Sequence, residues 1–175
     1  RNAYRTRRIL TGTLDGIEQT AGGKTLATVS FRGFRIAIPI REMLVLDERM
    51  PSGRAYADYM NRLNRILGTM LGAEIDFIVK GIDSTTHSAV ASRREAMLRK
   101  RQTFYLGKDV SGNPYIYPGR LVEARVIAVA EKVLRVEAFG IECAIFARDL
   151  SWQWVSDVRD LYSVGDRVLV RVQEI

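Results

Sequence analysis

The chain has 175 residues, 47% of them hydrophobic, and a formal net charge of +7 at pH 7. This hydrophobic content is typical of a folded globular chain and excludes a largely disordered one. No apolar run approaches the roughly 18–20 residues that span a bilayer, so no membrane partner is expected. The single cysteine, Cys143, excludes an internal disulfide framework and favours a reducing, cytoplasmic compartment. The excess of Lys and Arg favours a polyanionic partner such as nucleic acid, although many basic proteins bind none.

The first half of the chain predicts strands, one helix and then strands again. Alternation of apolar and polar residues with a period near two is typical of half-buried antiparallel strands. The predicted strands are 9–17, 25–33, 34–40, 73–83 and 88–92. Between them, apolar residues of 54–71 recur at three- and four-residue spacing, which predicts an amphipathic helix. A basic helical stretch follows at 93–101.

The second half begins with a segment rich in Gly and Pro, 107–119, which predicts a linker or hairpin. Strands are then predicted again, with a loop or short helix over 149–163. These strands are 121–130, 132–139, 141–147 and 167–174.

The sequence also repeats itself. A first set of matching residues is separated by 107 positions (Gly140 minus Gly33), and a second set by 93 (Gly165 minus Gly72). The two offsets differ by 14 (107 minus 93), which places a 14-residue insertion within residues 43–71. A repeat at this period indicates two copies of one module.

The order of the strands is typical of a five-stranded Greek-key barrel of the oligonucleotide-binding (OB) type. We therefore predict an all-β fold with an inserted helix, built from two tandem OB barrels. The predicted domains are 1–101, with the helical insertion and a basic exit helix, then a linker at 102–117, and the second module at 118–175. Because Ile175 matches Ile82, the second barrel is expected to lack its last strand, through truncation or because something else closes it.

Four runs of sequence carry a family resemblance. Residues 140–151 resemble the third strand and following turn of the ribosomal S-one RNA-binding domain, and 164–172 resemble its fourth strand. In the first module 72–83 and 91–96 are similar. The resemblance implies that RNA lies across strands two and three, where aromatic side chains stack on bases and basic residues hold phosphates.

Carried over by position, the resemblance implies a nucleic-acid site at Lys132, Arg135 and Phe146. Phe146 stands where the family often has histidine, and the two cations stand where it often has phenylalanine. The counterparts in the first module are Thr25, Thr28 and Pro39. These make a poor stacking platform, so the first module is expected to serve as a scaffold or a protein-contact module.

Further cations extend the candidate site. Arg125 and Arg148 lie near it in the second module, and the densest basic run is Arg93, Arg94, Arg99, Lys100 and Arg101. Such a run attracts phosphate or forms a solvated helix face. Trp152 and Trp154 are expected to pack on the barrel or contact a protein partner rather than stack on bases.

Nothing in the sequence indicates an enzyme, a cofactor or a metal. The only histidine, His87, has no second ligand at zinc-binding spacing. Cys143 falls inside a predicted strand, where a small buried hydrophobe is expected rather than a nucleophile. The acidic pair Asp47–Glu48 lies in a predicted loop, with nothing to make it catalytic.

Two functions remain open at this point. The net charge and the basic run favour a non-catalytic RNA-binding protein that takes single-stranded RNA or single-stranded DNA. The poor platform of the first module and the inserted helix favour a structural or assembly protein of a larger complex, mobile element or virus. In that case the barrels make protein contacts, through Trp152, Trp154 or the helix at 54–71.

Overall fold

The structure is a computed structural model that describes residues 1–46 and 49–175. The acidic pair Asp47–Glu48 lies outside the described residues. The chain divides into two compact units, Arg1–Ala96 and Met97–Ile175, here called unit 1 and unit 2. The fold is mostly β, with one closed five-stranded barrel, a second sheet of four strands, and several helices.

Unit 1 contains the closed barrel, whose strands follow the order β1-β2-β3-β5-β4. Its elements are α1 (Asn2–Thr6), β1 (Leu10–Gln19), β2 (Thr25–Phe31), β3 (Phe34–Pro39), α2 (Ile40–Met43), α3 (Arg54–Thr69), β4 (Glu74–Asp83) and β5 (Ser88–Ser92). Helix α4 (Arg93–Phe104) begins in unit 1 and ends in unit 2. The predicted antiparallel strands and the helix near 54–71 are confirmed, and β5 closes the barrel by pairing parallel to β3.

The core of unit 1 is built from alternate strand residues and one face of α3. Leu14, Val29 and Phe77 are fully buried inside the barrel. On α3, Leu63 and Leu67 are buried, as the three- and four-residue spacing predicts. Burying side chains of this size contributes about 1.5–3 kcal/mol each, which holds the inserted helix on unit 1.

Unit 2 is a four-stranded antiparallel sheet in the order β8-β7-β6-β9. Its strands are β6 (Leu121–Val129), β7 (Val133–Ala138), β8 (Ile141–Phe146) and β9 (Arg167–Arg171), with short 3-10 helices at Ala147–Asp149 and Val158–Asp160. Within the described residues no fifth strand pairs with this sheet. Its core comprises Ala124, Val126, Leu134, Val136 and Val158.

Both units contain the same tight turn between their second and third strands. Arg32 and Gly33 have φ values of 47° and 80°, and Phe139 and Gly140 have 51° and 92°. Two successive residues with positive φ are typical of a type I′ hairpin turn, in which glycine carries no steric penalty.

The units also share the hydrogen bonds that start their fourth strands. In unit 1, the Gly72 amide donates to the carbonyl of Leu14 at 2.8 Å, and the Leu14 amide donates to the carbonyl of the next residue, Ala73, at 2.9 Å. In unit 2, the Gly165 amide donates to the carbonyl of Val126 at 3.0 Å, and the Val126 amide donates to the carbonyl of Asp166 at 2.8 Å. Gly72 and Gly165 are separated by the second repeat offset of 93, whereas their first-strand partners Leu14 and Val126 are 112 positions apart (126 minus 14).

Candidate nucleic-acid interface

The candidate surface of unit 2 lies at the open end of the β7–β8 hairpin, opposite its turn. Phe146, the last residue of β8, is the register partner of Val133, the first residue of β7. The amide of Ala147 donates to the carbonyl of Lys132 at 3.0 Å, which ties the two chain segments together. The strand pairing therefore brings Lys132 and Phe146, two of the positions that the resemblance implies, to one edge of the sheet.

A shallow cleft of about 590 Å³ opens at this edge. It is lined by Lys132, Phe146, Ala147, Arg148, Ser151, Trp152, Gln153, Trp154 and Val155. We call it the tryptophan cleft.

Three aromatic side chains of the cleft are accessible to solvent. Trp152 is fully exposed, Trp154 is 85% exposed and Phe146 is 49% exposed. The expectation that the tryptophans pack on the barrel is wrong, because the polar loop that carries them leaves both indole rings outside the core cluster of unit 2. The loop sequence carried no clear signal of this exposure, because Leu150, Trp152 and Trp154 alternate with polar residues as in a half-buried strand.

Two cations lie against these rings. The Arg148 guanidinium is 5.3 Å from the centroid of the Phe146 ring, and the Lys132 ammonium is 5.6 Å from the Trp154 ring. Lys132 also donates to the carbonyl of Ser156 at 2.8 Å, which fixes its position. Cations within about 6 Å of an aromatic centroid are attracted by the ring quadrupole. The cleft therefore places flat apolar surfaces and positive charge within one small area.

The loop that carries the tryptophans is anchored at its far end. The Asp157 carboxylate accepts hydrogen bonds from the side chain and the backbone amide of Arg159. These hydrogen bonds lower the pKa of Asp157 from 3.8 to about 2. The next residue, Val158, is buried, and its amide donates to the carbonyl of Glu131 at 2.8 Å. Asp157 is therefore ionised at neutral pH and caps the short 3-10 helix behind the cleft.

The other cations predicted in unit 2 lie outside the cleft. Arg135 is exposed on the same face of the sheet as Phe146, and its guanidinium is 3.0 Å from the Glu142 carboxylate. Arg125 is largely buried, with its guanidinium 3.8 Å from the buried carboxylate of Glu137. Arg135 is thus accessible to a phosphate, whereas Arg125 is placed to balance a buried charge.

The basic run of α4 does not form one continuous cationic surface. Arg93 is only 1% exposed and donates to the carbonyl of Met43 at 2.8 Å. Arg101 donates to the carbonyl of Gly140 in unit 2. Of this run only Arg94 is exposed, and Arg99 and Lys100 are half-buried. The prediction that Arg93 contacts phosphate is inconsistent with its burial, because its guanidinium is enclosed in unit 1.

Side-chain exposure also bears on the unit 1 counterparts of the candidate site and on Cys143. Thr25 and Thr28 of unit 1 are buried and Pro39 is half-buried, so this face offers no aromatic platform. Cys143 is exposed rather than buried. It lies on β8, the edge strand of the unit 2 sheet, and no described strand covers that edge.

In residues 1–46 and 49–175, no group of three or more His, Cys, Asp and Glu side chains is placed to hold a metal ion. Over the same described ranges, no helix combines the length and apolarity needed to cross a membrane.

Residues 116–175 match the family model of the S1 RNA binding domain. The matched segment contains all four strands of unit 2 and the whole tryptophan cleft. S1 domains are non-catalytic binding folds that take RNA, so the match supports a nucleic-acid-binding role for the chain. No curated protein sequence matches the chain significantly.

Proposed function

We propose that unit 2 binds single-stranded RNA without catalysing a reaction, and that the tryptophan cleft is its binding surface. The observation that carries this proposal is the set of three exposed aromatic rings with two cations 5.3 and 5.6 Å from two of them, in the segment that matches the S1 RNA binding domain. Stacking of a base on an aromatic side chain contributes about 1–3 kcal/mol, and nearby cations follow the phosphate backbone.

A single strand fits this surface better than a duplex. Bases of a duplex are stacked on one another, so their flat faces are not accessible to Trp152, Trp154 or Phe146. The exposed rings can stack only on unstacked bases, and Lys132 and Arg148 then lie within reach of the adjoining phosphates. RNA is favoured over DNA by the family match, and single-stranded DNA is the natural competitor in any assay.

We further infer that unit 1 is a second, diverged OB barrel of the same kind, so that the chain is a tandem repeat. The shared type I′ turns and the matched hydrogen bonds at Gly72 and Gly165 support this inference. Under this proposal unit 1 keeps the barrel but has lost the stacking residues of its second and third strands. The exposed thiol of Cys143 fits a reducing location such as the cytoplasm.

The direct test is a fluorescence-anisotropy titration of the full chain into a short labelled single-stranded RNA at low salt. We expect saturable binding in the micromolar range, weaker binding of duplex RNA, and a large loss of affinity when Phe146, Trp152 and Trp154 are all replaced by alanine. A matched control replaces the exposed Leu161 and Leu169, which lie outside the cleft, by alanine. No approach to saturation at high micromolar protein would overturn the proposal, as would an equal loss in the control.

A further inference from the structure

A second cavity, of about 220 Å³, lies at the turn end of the unit 1 barrel. Its lining brings together side chains from α1 and from the β2–β3 turn. They include Arg1, Tyr4, Arg8, Phe31, Arg32 and Phe34. We call this cavity the arginine pocket.

One unusual turn lines this pocket, and a second lies beside it, against Phe34. Arg32 and His87 both have left-handed backbone conformations, with φ values of 47° and 51°. The Arg35 amide donates to the carbonyl of His87 at 3.0 Å, and the rings of Phe34 and His87 are 5.5 Å apart. Asn is favoured over Arg at the first central position of a type I′ turn, and unfavoured backbone conformations tend to cluster at functional sites. Turn stability therefore does not explain why an arginine is found at position 32, and a functional role is a reasonable inference.

The aromatic residues of the pocket are only partly used by the core. Phe31 packs edge-on against the buried Phe77, with ring centroids 5.8 Å apart, and so is anchored on one side. The Arg32 guanidinium also lies over the Phe31 ring, 5.3 Å from its centroid. Phe34 is half-buried, and Tyr4 is exposed on α1. Flat apolar surface and positive charge thus meet here, as they do in the tryptophan cleft.

The charged side chains that line the pocket are all positive. Its described lining includes the three arginines Arg1, Arg8 and Arg32, all exposed, and no carboxylate. Exposed guanidinium groups around a concave surface concentrate anions, and guanidinium geometry matches phosphate well. The volume is below the roughly 300–1,000 Å³ that is usual for small-molecule sites. It suits one phosphate and the edge of one base better than an entire free ligand.

We propose that the arginine pocket is a second, separate contact for single-stranded nucleic acid. In this proposal Arg8 and Arg32 hold a backbone phosphate, and an adjoining base lies against Tyr4 or Phe34. Unit 1 would then bind through the turn end of its barrel and not through the strand face that the family resemblance indicates. The proposal does not require the tryptophan cleft to bind.

The test uses the full chain with Phe146, Trp152 and Trp154 replaced by alanine, so that binding by the cleft is removed. In this background we expect measurable, salt-sensitive binding of a labelled single-stranded RNA. Adding Arg8→Gln and Arg32→Asn should then lower the salt dependence by about 0.7 log unit per log unit of salt, the value for loss of one phosphate contact on a single strand. Asn is favoured at this turn position, so the melting temperature should not fall.

The control variant carries Arg5→Gln and Arg54→Gln, which remove the same charge from exposed positions of unit 1 outside the pocket. It should change the salt dependence much less. The proposal is overturned if both variants lower it equally, if the cleft-deficient chain shows no residual binding, or if polyglutamate competes as well as RNA. Failure of the cleft proposal is seen separately, as unchanged affinity when the three cleft aromatics are replaced in the otherwise unaltered chain.

Discussion

Stacking and charge in the tryptophan cleft can be separated by two substitutions, Trp154→Ala and Lys132→Gln. Trp154 is 85% exposed, so removing its ring opens no cavity in the core and should change the free energy of unfolding by no more than about 0.5 kcal/mol. Its stacking contribution of about 1–3 kcal/mol corresponds to about a 5- to 150-fold loss of RNA affinity. The salt dependence should stay the same, because stacking releases few ions.

Lys132→Gln should have the complementary effect. Loss of one phosphate contact lowers the slope of log affinity against log salt by about 0.7 for a single strand. Lys132 also donates to the carbonyl of Ser156 and lies 5.6 Å from the ring of Trp154. Some loss of affinity through loosening of the loop is therefore expected at every salt concentration, together with the change of slope.

The assay is an anisotropy titration at several salt concentrations, with tryptophan emission as a second readout. The chain contains only two tryptophans, and both line the cleft, so quenching of their emission reports binding at this site alone. RNA should also protect both indoles from acrylamide. If RNA binds tightly while the emission and its accessibility stay unchanged, the cleft is not the binding surface. A change of slope with Trp154→Ala would refute the division between stacking and charge.

Three predictions concern the stability of the scaffold. Leu63→Asp should cost about 4 kcal/mol or more and unfold unit 1, whereas the exposed Tyr56→Asp should melt near the unchanged chain. In chemical denaturation, Gly140→Ala should destabilise more than Gly33→Ala, because only the first places a Cβ within 2.2 Å of a backbone oxygen. The pKa of Asp157 is lowered to about 2, so the ionised carboxylate stabilises the fold fully above about pH 5, and this stabilisation is lost as the pH falls through 2. In an acid titration followed by tryptophan emission, Asp157→Asn should remove the transition near pH 2.

Local pattern predicted the secondary structure well, and long-range packing explains where prediction failed. The period of two and the glycines at turns were sufficient to locate the strands, and apolar spacing located α3. Pairing of Val133 with Phe146 then brings Lys132 near Phe146. Arg93 was assigned to a phosphate-binding run because its neighbours are basic, yet its helix position turns it into the core of unit 1, where it donates to Met43.

The tryptophans show the opposite failure. In the family that the chain resembles this stretch packs on the barrel, and that resemblance led to the expectation that Trp152 and Trp154 pack there or contact a protein partner. Whether the indole rings are buried depends on whether the loop turns back over the sheet. The contacts of Asp157 and Val158 that anchor the loop involve neither tryptophan. The prediction that Cys143 is buried was wrong for a related reason. A strand on the outer side of β8 would be needed to cover it, and the sequence of β8 does not show whether such a strand is present.

The two units leave opposite ends of the same hairpin accessible, and this difference explains where each is proposed to bind. In unit 2 the turn at Gly140 is closed by α4, whose Met97 carbonyl lies where a Cβ would be, and only the end at Phe146 is open. In unit 1 the turn at Gly33 has nothing within 4 Å of that position, which leaves it accessible.

The other end of the unit 1 hairpin is occupied by the insertion. Thr25 and Pro39 share a groove with Tyr56, Met60 and Asn64 of α3, so the helix borders the place where unit 2 has its cleft. A helix at either end of a hairpin limits what a nucleic-acid strand can reach there. Under the proposed tandem repeat, α3 accounts for the absence of stacking residues at that end of unit 1, and the turn end, with its arginines, is the surface that we propose for contact with a polyanion.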